Sequence, residues 1–371
     1  MSFSFPEKIL VEEKAVSFPL TRRILENCPG IPFQVIRSRR EIHDILQSSA
    51  DPVGEAKKYL LLRLQRGAFV KRCPCTPCYI GCNYYIINAV WNCSLDCSYC
   101  ILQLYLADTP MTVFVNRDDL WRELDRFLGR REGRFLRLGT GELADSLALD
   151  PLTQTAGEFV SYFRKRPSAV FELKTKTAHI SGLRRREAVE NVVVSWSLNS
   201  EKVAAAEEKG APPVAERIEA ARRVAALGFP VGFHFDPLVL CAGWEEDYAA
   251  VIEQLLRALA PSRIRWISLG SLRFPTALKP IIEKRFPASR IVYGELVPGK
   301  DRKLRYFKPL RLGLYRRVVD LIRYFGGQRI PLYFCMEDTE VWEKGLGWKP
   351  RRKADVELSL SPRLDDSKSI A

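Results

Sequence analysis

The sequence predicts an α/β protein in which a parallel sheet is covered by helices, as a complete or partial barrel. Apolar strands alternate with amphipathic helices from about residue 134 onward, the pattern of strands buried on both faces. Polar residues recur at four consecutive strand ends, on the side where α/β barrels place their ligands. A loop with three closely spaced cysteines follows the apolar run 84–90 (YYIINAV).

Taken in order, residues 37–46 (RSRREIHDIL) and 52–64 are expected to be helical, with Ile42, Ile45 and Leu46 on one face. Cys28, beside Pro29-Gly30, reads as a small buried residue, and His43 as a surface residue of a charged helix. Residues 111–116 (MTVFVN) form a β-branched run and 118–130 an amphipathic helix. Strands are expected over 134–138 (RFLRL), 169–174 (AVFELK), 191–198 (NVVVSWSL), 231–235 (VGFHF) and 263–269 (RIRWISL). The clearest helix, 213–227, sets Val214, Ile218, Ala221, Val224 and Ala225 at helical spacing and stops at Gly228. A second covers 244–259. Cys335 follows the apolar PLYF run as the end of a core strand, and from Pro350 the chain reads as a loose polar tail.

A chain of 371 residues buries a large core as one or two domains. It is 47% hydrophobic and 27% charged, the balance of a globular protein. No apolar run approaches the roughly 18 residues that span a bilayer, and MSFSFPEKILVEEK lacks the apolar core of a signal peptide. A cytoplasmic protein with no membrane partner is expected. In that reducing compartment ten cysteines point to metal rather than disulfides. The net charge of +14 suits a polyanion such as nucleic acid, though charge alone does not separate that from an ordinary basic enzyme.

Cys93, Cys97 and Cys100 form a CxxxCxxC loop, WNCSLDCSYCILQ. Three thiolates so close together suit an iron–sulfur cluster, and three ligands on a four-iron cubane leave one iron open. That open iron is the reactive position in radical-SAM enzymes, where S-adenosylmethionine binds and is cleaved to a 5′-deoxyadenosyl radical; the protein supplies binding, orientation and exclusion of water. The alternatives are a zinc site, which wants a fourth protein ligand, or three buried thiols. Upstream, RCPCTPCYIGCN carries Cys73, Cys75, Cys78 and Cys82, a candidate second site for zinc or a second cluster. Its alternative is a Pro-rich turn with incidental thiols.

The strand-end residues are Glu142 and Asp145, Thr175 and Lys176, Ser197 and Asn199, and His234 and Asp236. In Gly139-Thr140-Gly141-Glu142 the glycines would let backbone approach a ligand. Glu142 is placed as an acceptor for an ammonium group, Lys176 as a partner for a carboxylate, and Ser197 and Asn199 as ribose or amino-acid contacts. His234 divides evenly between the site and the core. In 302–317, RKLRYFKPLRLGLYRR, the aromatics Tyr306, Phe307 and Tyr315 alternate with basic residues. Such a stretch suits phosphates and unstacked bases or a helix whose aromatics are simply buried.

From about residue 84 to 287 the chain resembles the spore photoproduct lyase family of radical-SAM enzymes. The likeness rests on CSYCILQ, FVN, DSLALDPLT, WSLN, APPVAERIEAARRVAALGFPVGF, PLVLCAGWEEDY and RFPTALKPIIEKRFP. It implies a partial (β/α)6 TIM-like barrel of the radical-SAM type over 84–290. Outside it are expected an N-terminal helical region with the Cys-rich segment (1–83), a C-terminal α+β extension with basic and aromatic residues (291–350) and a flexible tail (351–371). It further implies a 4Fe–4S cluster, to which Cys93, Cys97 and Cys100 are the candidate ligands, and S-adenosylmethionine; the strand-end residues Glu142, Asp145, Lys176, Ser197, Asn199 and His234 are the candidates to hold it, and Tyr99 and Glu142 the candidates for catalytic roles. The substrate would be a thymine-derived lesion in DNA, extruded from the stack to be reached. An electron donor such as ferredoxin or flavodoxin and a monomeric state complete the expectation.

Three departures stand out. Glu142 occupies the position of the hydrogen-donating cysteine of the lyases, Ile101 replaces the second of two tyrosines flanking the third cluster cysteine (Tyr99 being the first), and the Cys73–Cys82 group is additional. Cys241 and Cys335 are candidates to replace the missing donor. Two other readings therefore stand beside lesion repair: a radical-SAM enzyme acting on RNA or a small metabolite, and a non-catalytic nucleic-acid-binding metalloprotein.

Overall fold

A computed structural model describes residues 5–361. Its centre is an eight-stranded sheet. In spatial order the strands are Leu332–Phe334, Ile264–Ser271, Val231–Leu238, Val192–Ser197, Ala169–Thr175, Leu136–Gly139, Tyr84–Ile87 and Val70–Arg72. All neighbours are parallel except the last pair, which is antiparallel. The seven parallel strands follow one another in chain order, so the sheet winds in one direction into an open half barrel. The expected strands all lie in it. Their cores are continuous apolar runs because helices cover one face: Val192, Val193, Val194 and Trp196 are completely buried.

The helix Val214–Leu227 runs as expected and stops at Gly228, which takes a left-handed conformation at φ 107°. Trp244–Ala258 and Arg117–Gly129 are the other long covering helices of the central region.

The N-terminal region departs from the helical expectation. It contains a second sheet, with the parallel strands Phe33–Ile36, Lys8–Glu12, Tyr59–Arg63 and Met111–Phe114, and Val90–Trp91 antiparallel at its edge. Residues 52–64 were expected to be one helix, but only Pro52–Ala56 is helical. Tyr59–Arg63 is the middle strand of this sheet. Leu60 and Leu62 pack into one apolar cluster and Leu61 into another, so a strand buried on both faces reads as a helix-like apolar run. Cys28 is buried and His43 exposed, as read.

The C-terminal region has a three-stranded antiparallel sheet (Arg273–Pro275, Lys303–Tyr306 and Leu296–Pro298) and the helix Lys308–Tyr324. The basic and aromatic stretch 302–317 is thus a strand turning into a helix. Tyr306 and Tyr315 are buried and only Phe307 is exposed, so two of the three aromatics belong to the core. The expected tail begins as a helix, Lys353–Ser359, with Val356 and Leu360 buried; the rest of it lies outside the described residues. Among the described residues no helix is long and apolar enough to cross a membrane.

Candidate active site

The C-terminal ends of the parallel strands open into a cavity of about 390 Å³, within the size range of small-molecule sites. The cysteine loop forms one wall. Cys93 and Cys97 are buried, Cys100 is half-buried, and all three line the cavity. The loop is held from behind: Lys57 Nζ donates to the carbonyl oxygens of Cys93 (2.9 Å) and Leu95 (2.7 Å). Leu95 N in turn donates to Cys93 Sγ at 3.4 Å. Burial pushes the free Cys93 thiol up to about 12 and raises Cys97 as well. In the metal-free chain these thiols therefore hold their protons, which metal must displace. No disulfide competes for them. Three thiols of one loop that line the same cavity fit a cluster that keeps one iron for a ligand.

The opposite wall comes from the strand ends. Glu142 faces Lys174, whose Nζ donates to Glu142 Oε1 at 2.7 Å. The glycines beside it are required by packing inside the protein, and Gly141 also lines the cavity. A Cβ on Gly139 would strike the Tyr84 hydroxyl, and one on Gly141 would lie 2.7 Å from Lys174 Cβ. Asp145 lines the cavity but is committed to tying its own loop to the end of the strand Ala169–Thr175. Its oxygens accept from Leu147 N, Ala148 N, Thr175 Oγ1 and Lys176 N at 2.7–2.9 Å.

Lys176 and Ser197 line the cavity as expected. Lys176 Nζ lies 3.8 Å from Glu208 Oε1 and 5.6 Å from the centre of the Tyr99 ring. Burial, the largest influence, opposes its charge, but the acidic groups around it, Glu208 first among them, together hold its pKa above the ordinary lysine value. Tyr99 lines the cavity and donates its hydroxyl to the same Glu208. Glu208 also takes Arg217 Nη1 at 2.5 Å, and Arg217 donates to the Ser197 carbonyl at 3.1 Å. Arg217 belongs to the ERIEAA stretch and is fully buried. Sequence reading missed Glu208 and Arg217 because each looks like an ordinary charged helix residue until the fold buries it.

Two expected cofactor contacts do not reach the cavity. Asn199 is buried, giving Nδ2 to the Pro237 carbonyl (3.0 Å) and taking the Tyr248 hydroxyl (2.6 Å) on Oδ1. Tyr248, the tyrosine of GWEEDY, also receives Val239 N at 2.8 Å. This group builds the turn after Val231–Leu238. His234 points into the barrel interior, with Nε2 2.8 Å from Glu172 Oε1. Glu172 also receives Ser195 Oγ (2.5 Å) and Trp266 Nε1 (3.1 Å), so His234 belongs to a buried polar network.

Asp236 and Arg273 do line the cavity, as a bidentate pair at 2.8 and 3.0 Å. Cys241 packs on an apolar cluster with Val239 and Leu272. Cys335 receives Arg273 Nη2 on its sulfur at 3.2 Å. The thiols that line the cavity beside the loop cysteines are instead Cys73 and Cys75. Cys78 is exposed and does not line the cavity.

A half barrel with a three-thiol loop at the strand ends defines a radical-SAM protein. Residues 4–314 match the family described as spore photoproduct lyase, and the chain belongs to that family. It is 26% identical over 299 residues to the spore photoproduct lyase of Bacillus subtilis, covering 78% of this chain and 85% of that protein. It is 24% identical over 335 residues to that of Clostridium acetobutylicum, covering 88% and 96%. A solved spore photoproduct lyase complexed with dinucleoside spore photoproduct superposes with a TM-score of 0.80 at 24% identity, over 90% of this chain and 100% of that one. A variant with bound AdoMet and the same dinucleoside gives 0.77 at 23% identity, over 91% and 100%. These superpositions establish the shared fold.

Proposed function

We propose that the protein is a radical-SAM lyase of the spore photoproduct type, acting on a thymine lesion in DNA. The observation that carries this is the single cavity in which Cys93, Cys97 and Cys100 face Glu142, Lys176 and Ser197, in a chain whose family match spans residues 4–314. Cluster and S-adenosylmethionine, when bound, supply a 5′-deoxyadenosyl radical that takes a hydrogen atom from the substrate.

The chain's own residues bind and orient. Cys93, Cys97 and Cys100 hold the cluster. Glu142 offers a carboxylate to the amino group of the methionine end, and Lys176 an ammonium to its carboxylate. Tyr99, fixed by Glu208, walls the space between loop and strands. The apolar Leu95, Ile101 and Leu272 on the same cavity limit water. Lys303, and Arg273 from its pair with Asp236, line the same cavity and offer positive charge to the phosphate of a nucleotide substrate.

One observation favours a second reading with a different substrate. The position at which the lyases carry their hydrogen-donating cysteine holds Glu142, tied to Lys174. The same chemistry directed at RNA or a small metabolite would not require that cysteine.

The deciding experiment is anaerobic: the iron- and sulfide-loaded protein receives dithionite and S-adenosylmethionine, with and without DNA carrying the spore photoproduct. Formation of 5′-deoxyadenosine with restored thymine is expected. Cleavage indifferent to the lesion would favour the second reading. No cleavage from a loaded cluster would leave a non-catalytic metalloprotein.

A further inference from the structure

Beside the active cavity lies a smaller one whose wall carries four thiols: Cys73, Cys75, Cys82 and Cys335. They come from two distant parts of the chain. Three belong to the loop between Val70–Arg72 and Tyr84–Ile87, and Cys335 directly follows Leu332–Phe334 at the far edge of the half barrel.

The loop is pinned across this gap. Ile80 N donates to the Glu337 carbonyl at 2.9 Å, the Tyr79 ring lies 4.2 Å from the Arg305 guanidinium, and Asn83 Nδ2 donates to Glu357 Oε2 at 2.8 Å. Gly81 packs so closely that a Cβ there would lie 2.8 Å from Cys75 Sγ. All four thiols are free of disulfides, while the fifth cysteine of the region, Cys78, is exposed and off this wall. Arg72 and Lys353 also line the small cavity, and Arg273 donates to Cys335 Sγ. These cations offset the charge of a tetrathiolate.

We propose that Cys73, Cys75, Cys82 and Cys335 bind a second metal centre through their thiolates, separate from the one on Cys93, Cys97 and Cys100. Four thiolates fill the coordination of a tetrahedral zinc ion or of a cubane cluster, leaving no position for a ligand. The centre is therefore structural or electron-transferring. Among the described residues no three donors close on a single ion, here or at the Cys93 loop; rotation about Cα–Cβ brings the sulfurs onto the metal as the thiols lose their protons. Because Cys73 and Cys75 also line the active cavity, the second centre would form part of its wall. It would join the entry to the first barrel strand to the end of the last.

The test uses the full chain carrying Cys93→Ala, Cys97→Ala and Cys100→Ala together, which removes the first centre. This variant is loaded anaerobically with ferrous iron and sulfide, or separately with zinc chloride, and desalted. Retention of one four-iron cluster with its sulfide, or of one zinc ion, supports the proposal, and the metal retained identifies the kind of centre. Adding Cys335→Ser should abolish retention, whereas adding Cys78→Ser should not. A metal-free triple variant, or metal lost with Cys78→Ser and kept with Cys335→Ser, would overturn it.

Should Cys335→Ser unfold the chain, alkylation of the loaded wild-type protein decides. Cys73, Cys75, Cys82 and Cys335 should react only after a chelator has stripped the metal, while Cys78 reacts throughout. Reaction of Cys73 and Cys75 at the same rate with and without metal would sink the idea.

Discussion

Lys174 Nζ donates to Glu142 Oε1 at 2.7 Å inside the cavity that also holds the three loop thiols. By the resemblance to the lyases, Glu142 is expected to fall where they carry a cysteine, so in the proposed site a carboxylate–ammonium pair takes the place of a thiol. Removing the carboxylate charge takes away the strongest partner of a partly buried ammonium and leaves it the weaker pull of Glu172 and Asp236. Glu142→Gln should cost about 1–2 kcal/mol of stability, in the lower part of the range for a charge-assisted bond because both side chains keep some exposure. Lys174→Met in the same chain should recover part of that. Chemical denaturation of both single variants and the double variant would give the coupling, expected at about 1 kcal/mol. A coupling near zero would show the pair to be incidental.

In the proposed site Lys176 is the cation for the carboxylate of the cofactor, and Glu208 is the first of the groups that keep it charged. Lys176→Met should weaken S-adenosylmethionine binding by about tenfold, equivalent to about 1.4 kcal/mol, with iron content unchanged. Isothermal titration of the loaded protein reads the affinity and iron analysis the cluster. Loss of both together would place Lys176 in loop folding instead.

Lys57 holds the cysteine loop through two carbonyls, and the thiols it positions are protonated before metal arrives. Iron uptake should therefore accelerate as pH rises from 7 to 9, because each ligating thiol must release a proton. Lys57→Met should slow uptake at every pH without removing the pH dependence. Visible absorbance during anaerobic reconstitution would follow both effects. A rate independent of pH would mean that deprotonation does not limit loading.

The half barrel was legible because its strands are apolar runs separated by amphipathic helices, and 192–197 adds three consecutive β-branched residues. Tyr59–Arg63 was not, since a strand buried on both faces carries no period-2 signal. Cys93, Cys97, Cys100, Tyr99, Glu142, Lys176 and Ser197 come together as the strand ends suggested. Asn199 and His234 share those ends but turn away, because position along a strand does not say which face its last side chains take. Cys335 was isolated in sequence, and only the winding of the sheet sets it beside Cys73 and Cys82.

Asn199 offers a clean separation of packing from binding. Its side chain joins the Pro237 carbonyl to the Tyr248 hydroxyl, so Asn199→Ala leaves buried partners unmatched. A loss of about 1–3 kcal/mol in denaturation is expected, with S-adenosylmethionine affinity within about twofold of the wild type. An affinity loss of tenfold or more in a fully folded variant would return Asn199 to the cofactor site.

The buried network around Glu172 makes the last prediction one of pH. Burial opposes the carboxylate charge, but His234, Arg137 and Ser195 together hold its pKa well below the ordinary value. A carboxylate depressed in the folded state contributes stability above its unfolded pKa, about 4.5, and that contribution fades as pH falls below it. At neutral pH, Glu172→Gln leaves Arg137 buried against Trp266, with the guanidinium carbon 4.2 Å from the ring centre and its anion gone. Breaking such a pair costs about 3–5 kcal/mol. Below the unfolded pKa the wild type progressively loses the same contribution, so the gap between wild type and variant should narrow on acidification. Urea denaturation of the metal-free proteins at pH 7, 4 and 3 would measure it. A gap that stays constant across this range would mean that Glu172 acts through shape and hydrogen bonding alone, and that its charge adds nothing to the fold.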